Sequence, residues 1–165
     1  MDAQLEKLAK DLSPYLSSYF LSLRSGWETG TWTPSWGGST TNGTISYSAN
    51  EQVGSYIRIG TLVIAFVHFL RANVVTVAPT GNLLVRGLPY TSENTTNKNG
   101  TGFLSRYDNI NLNAGTIDLA PIVSANSNSI LFVESYDNAA GVIVQGAAIT
   151  NQSRIVGTVI YTITA

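Results

Sequence analysis

Cysteine is absent from the 165 residues, so neither a disulfide framework nor a thiolate metal site is open to this chain. Charge is scarce as well. Asp, Glu, Lys and Arg make up 12% of the residues, against about 25% in an ordinary soluble domain. The net charge of −1 gives no basic field for nucleic acid and no polybasic patch for a membrane surface. A long hydrophobic run is also missing. The longest, Thr61–Leu70, is too short for a helical membrane span and is interrupted by His68. The first residues, Met1 to Glu6, are acidic and carry no signal-peptide pattern, which points to assembly in a cytoplasm.

Polarity is carried instead by Ser, Thr, Asn and Gly, while apolar residues hold an ordinary 44%. A surface poor in charge fits one partly covered by partner subunits, because charged residues are depleted from interface cores. Ser/Thr/Asn-rich surfaces are equally ordinary in extracellular β proteins. The length allows one domain with a real core, plus a short appendage.

The pattern divides at about residue 25. Residues 1–25 read as helical, with Leu5, Leu8, Leu12, Tyr15 and Tyr19 at spacings of three and four. Leu16, Phe20 and Leu23 widen the stripe. Asp2, Glu6, Lys7, Lys10 and Asp11 fall off the Leu5/Leu8/Leu12 line. Ser13-Pro14 reads as a break and a new helix start, giving two short helices, 3–12 and 14–24. Helices this short are marginal alone in water. The stripe therefore needs a partner: the chain's own β domain, the same helices of sister subunits, or a groove on another protein.

Residues 26–165 lose helical spacing and fill with Val, Ile, Thr, Tyr and Phe, punctuated by Gly, Asn and Pro. Eleven strands are predicted: 31–36, 43–48, 54–59, 61–71, 73–77, 82–86, 102–107, 116–119, 129–134, 141–147 and 154–164. Short strands between turn signals predict a mainly β fold, an antiparallel sandwich of jelly-roll character behind a short helical segment. Two strands are apolar on both faces. In 61–71, Leu62, Ile64, Phe66, His68 and Leu70 oppose Val63, Ala65, Val67 and Phe69. In 154–164, Ile155, Val159, Tyr161 and Ile163 oppose Val156 and Ile160. A strand with one wet face should alternate. The second face therefore wants a cover, either neighbouring copies of the chain or its own helices or loops.

Gly30-Thr31-Trp32-Thr33-Pro34 opens the β part; Val53-Gly54-Ser55-Tyr56-Ile57-Arg58-Ile59-Gly60-Thr61-Leu62-Val63 follows, then Gly87-Leu88-Pro89-Tyr90. Physically, Trp32 is a large anchor, Pro34 suits a sheet edge, Gly60-Thr61 suits a tight turn, and Gly87 an unusual backbone conformation. This order of motifs resembles the C-terminal β domain of tailed-phage tail and tail-fibre proteins over residues 30–90. The resemblance implies a homotrimer about a fibre axis, attached to other virion proteins and working in host-surface attachment, with the virion as its location. Such domains normally close much longer chains, and only about 29 residues precede it here. A compact knob fits better than a fibre, with Leu5, Leu8, Leu12, Leu16 and Phe20 as virion-anchoring or oligomer-forming residues. The alternative is a capsid or tail decoration protein with a purely structural role.

Chemistry is sparse. His68, the one histidine, reads as a core residue; a three-His metal site on a symmetry axis or a pH-sensitive interface are the functional alternatives. Asp108, Asp118, Glu134 and Asp137 could serve glycoside hydrolysis only as a pair at defined separation, which nothing in the sequence fixes. No nucleophile elbow, phosphate loop or zinc spacing is present. The expectation is a protein without enzymatic activity or cofactor, with no nucleic-acid partner and no membrane insertion. Binding candidates are sought in loops. Tyr90 opens a long polar stretch to Gly102, and Tyr107-Asp108-Asn109 and Tyr136-Asp137-Asn138 each set an aromatic beside an acid and an amide. That trio suits a host-surface glycan: a ring covers C–H groups while acid and amide bond hydroxyls. The plainer reading is ordinary turn chemistry. The Asn-X-Ser/Thr sites at Asn42, Asn94, Asn99 and Asn151 read as polar turns, and Trp27, Trp32 and Trp36 as packing residues.

Overall fold

The computed structural model describes residues 11–15 and 26–164. Twelve strands follow in order: β1 Trp27–Trp32, β2 Ser35–Gly38, β3 Thr44–Ser46, β4 Gln52–Ile59, β5 Leu62–Arg71, β6 Val74–Val77, β7 Leu83–Arg86, β8 Gly100–Ile110, β9 Asp118–Val123, β10 Ser129–Tyr136, β11 Ala139–Ile143 and β12 Ile149–Thr162. The 31–36 strand is two strands, because Thr33-Pro34 interrupts the ladder and proline has no N–H to donate. The chain is mainly β, as its residue types require.

The strands do not divide into two independently ordered sheets. Ten of them make one antiparallel sheet, ordered β1-β4-β5-β12-β8-β9-β10-β7-β2, with β11 added beside β10. Its curvature follows from connectivity. β1 and β2 lie at opposite edges of that order, yet only Thr33-Pro34 separates them in the chain. Three Cα steps span at most about 11 Å, so the sheet must curl until its two edges meet at this corner. A sandwich reading recognises facing layers but misses that one sheet supplies both.

The inner face makes a single core. Opposed residues share a face in an antiparallel pair, so Trp32, Gly54, Val67, Gly157 and Leu104 form one inward row across five strands. The next row is Gly30, Tyr56, Ala65, Val159 and Gly102. Large rings thus face glycines. A Cβ on Gly54 would stand 2.5 Å from the Trp32 indole nitrogen. That nitrogen donates to the carbonyls of Ser55 and Phe66, both at 3.1 Å. Phe132, Leu70, Leu83, Leu119, Ile130 and Ile155 are fully buried, each contributing about 1.5–3 kcal/mol. The Trp36 and Phe132 rings meet across the core at 6.1 Å. The β3–β6 ribbon packs Ile45 and Val75 against this core. Gly87, with φ +95, makes the turn after β7, a conformation only glycine adopts without strain. Pro121 sits within β9 because β9 pairs with β8 only through Val123 and Ile122, leaving the proline's nitrogen side free of ladder bonds.

The outer face of the same strands is apolar, and among the described residues nothing covers it. Trp27, Ile59 and Leu62 share one row, Ile57, Ile64 and Ile160 the next, and Phe66 and Phe103 the third. Trp27 is 62% exposed, Phe103 61% and Ile160 42%. Trp32 and Trp36 are buried packing residues; Trp27 is not.

His68 is not a core residue. β5 carries one residue more than both β4 and β12 between Val67 and Leu70. His68 follows Ile64 and Phe66 onto the outer face by ordinary alternation and is exposed there, while the bulge after Val67 returns Leu70 to the core. Its ring stacks on Phe66 at 5.9 Å, and its Nε2 lies 2.6 Å from the Ser55 hydroxyl.

Residues 11–15 are helical straight through Ser13 and Pro14, where the sequence predicts a break. Leu12 is exposed rather than packed. Leu5, Leu8, Leu16 and Phe20 lie outside the described residues, as does most of the 1–25 segment. Among the described residues no helix is long and apolar enough to cross a membrane.

Candidate functional site

A polar surface lies where β8 leaves the sheet. Asn109, Ile110, Asn111, Leu112 and Asn113 alternate amide with aliphatic. Period-two alternation sends Ile110 and Leu112 toward the core, which both touch, and leaves the amides outward. Asn109 adopts φ +53, a left-handed conformation that asparagine tolerates, and its carbonyl accepts from the hydroxyls of Thr150, at 2.7 Å, and Ser153. β12 begins at that point, so Thr150, Asn151 and Gln152 stand opposite. With Asn109, Ile110 and Asn111 they enclose an open hollow of about 410 Å³.

Asn111 also lines a second cleft, of about 230 Å³, shared with Asn113, Glu134, Val142, Ile143 and Gln145. Three elements build it: the end of β10, the β11 strand across the hairpin, and the Gly146–Ala148 turn, whose Ala148 carbonyl accepts from the Asn111 N–H at 2.8 Å. Glu134 faces inward beside Leu119 and Val142 and is only 2% exposed. Its Oε2 accepts from the Thr116 hydroxyl at 2.7 Å, the Asn113 N–H at 3.1 Å and the Tyr136 hydroxyl. Burial pushes the Glu134 pKa up, but the hydrogen bonds from Tyr136, Thr116 and Asn113 outweigh it, and the carboxyl titrates below its ordinary value. It is therefore an anion at neutral pH, held in place by neutral donors. The Asn111 side chain has no hydrogen-bond partner among the described residues, whereas the Gln145 amide nitrogen donates to the Ile143 carbonyl at 3.1 Å.

The two Tyr-Asp-Asn trios are placed differently from one another. Tyr107-Asp108-Asn109 lies on β8, not in a loop. Asp108 accepts from Arg154 at 2.7 Å and Arg106 at 2.8 Å, which hold its pKa below the usual range. Asp137-Asn138 forms the two-residue turn between β10 and β11, closed by Tyr136 opposite Ala139, with Asn138 at φ +58. That is the turn chemistry weighed from the sequence. No hydrogen bond or ring contact joins the trios among the described residues, but Asn109 lines the open hollow and Tyr136 fixes the carboxylate of the adjoining cleft. Tyr90 packs edge-on against Tyr56 at 5.6 Å, under the Arg58 guanidinium at 5.2 Å, and lines a separate hollow with Thr91 and Ser92.

Sequence reasoning passed over Asn111, Asn113 and Gln145, read Asn151 only as a polar turn, and weighed Glu134 only as half of a catalytic pair. The alternation from Asn109 to Asn113 is the signal that could have found the first two.

No protein-family model matches this sequence, and no curated protein matches it. Among solved structures, the chain is similar to the Dettilon tailspike protein (gp208), with a TM-score of 0.65 at 17% identity. The similarity covers 82% of this chain and 24% of that one, so the chain spans about a quarter of the tailspike's length. At this identity the likeness establishes the shared β fold.

Proposed function

We propose that this chain is a structural component of a tailed-phage particle, a knob or spike module that assembles with copies of itself and attaches the virion to the host surface by binding, without catalysis. The outer face of β1, β4, β5, β12 and β8, left open among the described residues, carries the assembly part of this reading. Exposed apolar side chains scattered singly need no explanation, but a contiguous patch marks an interaction site. Here Trp27, Ile59, Leu62, Ile160 and Phe103 lie on neighbouring strands of one face. The low charge of the chain and the fold it shares with part of a tailspike support the same reading. Several equivalent copies presenting weak sites would bind a cell surface through avidity. The carboxylates Asp108 and Glu134 are engaged by Arg154 and by Tyr136, which fits positioning better than proton transfer.

Adsorption of virions that lack this chain tests the attachment role. Loss of host adsorption, restored by adding the chain back, supports it. Normal adsorption by such particles leaves decoration of the capsid or tail as the better reading.

A further inference from the structure

The attachment reading names no ligand, and the cleft beside Glu134 narrows the choice. We propose that this cleft binds a single uncharged sugar ring of the host surface, with Glu134 and Asn111 gripping neighbouring hydroxyls. The inference rests on the attachment reading only for where the sugar comes from.

Four features define the ligand's chemistry. Glu134 is 2% exposed, yet its three hydrogen bonds all converge on Oε2, and Oε1 accepts from none of these donors. Oε1 is not sealed off in the interior, so it can accept from a donor that enters the cleft. Asn111, exposed at the cleft's rim, offers an amide with both a donor and an acceptor and no partner among the described residues. The Gln145 amide nitrogen is already committed to Ile143, which leaves its oxygen as a further acceptor. Val142, beside Glu134, and Ile143 add exposed aliphatic surface to the lining. An acceptor anion, a bifunctional amide and an apolar wall together match a polyhydroxylated ring, which brings O–H donors on its edge and C–H groups on its face.

Size and charge limit the ligand further. At about 230 Å³ the cleft is smaller than a drug-sized pocket of roughly 300–1,000 Å³, so it accommodates one ring. The rest of a glycan chain would lie along the neighbouring hollow, which Asn111 also lines. Glu134 repels a second carboxylate in the same space, so uronic acids and other acidic sugars are disfavoured. A bare metal ion fits less well: among the described residues no three His, Asp or Glu side chains converge to hold one.

The test uses the full chain with D-glucose, D-galactose, N-acetyl-D-glucosamine and D-glucuronate, each alone at millimolar concentration, followed by saturation-transfer NMR. At least one neutral sugar should show transfer, with glucuronate several-fold weaker. Asn111→Ala alters an exposed side chain, so its fold can be verified by circular dichroism, and it should reduce transfer at least five-fold. Thr164→Ala, an exposed residue at the separate hollow lined by Thr91 and Ser92, should leave transfer intact. No transfer to any neutral sugar, equal transfer to glucuronate, or transfer unchanged in Asn111→Ala overturns the proposal. Failure here with adsorption still dependent on the chain would remove this cleft and leave attachment standing; sugar binding by a chain that virions do not need for adsorption would do the reverse.

Discussion

Replacing Gly54 with alanine tests the packing that holds the sheet closed. The new methyl carbon would stand 2.5 Å from the Trp32 indole nitrogen and 2.6 Å from the adjacent ring carbon. The ring has little room to retreat: Trp32 is buried, and its N–H is shared between the Ser55 and Phe66 carbonyls at 3.1 Å. It is also the last residue of β1, immediately before the Thr33-Pro34 link that joins the sheet's edges. Overpacking of this kind costs about 1–3 kcal/mol. An indole pushed aside would lose hydrogen bonds worth about 0.5–1.5 kcal/mol each. Alanine recovers about 0.5–1 kcal/mol through reduced backbone entropy in the unfolded chain. The net expectation is a loss of about 2–4 kcal/mol, or about 10 °C in Tm for a chain of this size. Urea and thermal unfolding at matched protein concentration measure it, because assembly makes Tm concentration-dependent. The double variant Trp32→Leu with Gly54→Ala should cost markedly less than the two single changes added together. A Gly54→Ala protein within about 0.5 kcal/mol of wild type, or strict additivity in the cycle, would refute the reasoning.

Other consequences follow from the same geometry. Phe132→Ala should lose about 3–5 kcal/mol in urea unfolding, since the ring is fully buried against Trp36. Tyr136→Phe removes one of three donors to the buried Glu134 and should cost about 1.5–3 kcal/mol; unchanged stability would mean that the hydroxyl is not holding the carboxylate. Glu93 is drawn down from 4.5 to about 2 by Lys98, Thr95 and Thr162. A depressed carboxylate stabilises the fold fully above its unfolded pKa and ceases to do so as pH falls through its folded one. Wild type should therefore lose, between pH 4.5 and 2, a stability increment that Glu93→Gln does not; parallel pH curves for the two proteins would contradict this.

Strand identity was largely legible, because β-branched runs bounded by Gly, Asn and Pro carry their own signal. All eleven predicted stretches contain strand, and Thr33-Pro34 divides the first. Sheet order was not legible. That β1 and β2 end at opposite edges depends on pairings between residues far apart in sequence, such as Ser35 with Arg86 and Ser129 with Arg86. His68 was misread because its neighbours are apolar: alternation groups it with Ile64 and Phe66, but that face is the outer one, and the extra residue in β5 moves only Leu70 from it into the core. The doubly apolar strands were read as having a second face in need of a cover; among the described residues that face carries the exposed Leu62 and Ile160. Glu134 was visible only as a carboxylate near a strand end; its burial depends on Thr116 and Asn113, which no local pattern connects to it.

Sedimentation of the wild-type chain beside Ile64→Asp/Ile160→Asp addresses the outer face most directly. Both isoleucines lie in the same outward row, directly paired across β5 and β12, so the fold should tolerate the change while a subunit interface should not. The account predicts a wild-type oligomer at micromolar concentration and a folded monomer for the double variant. A wild-type chain that sediments as a monomer, or a double variant that assembles as wild type does, would contradict it.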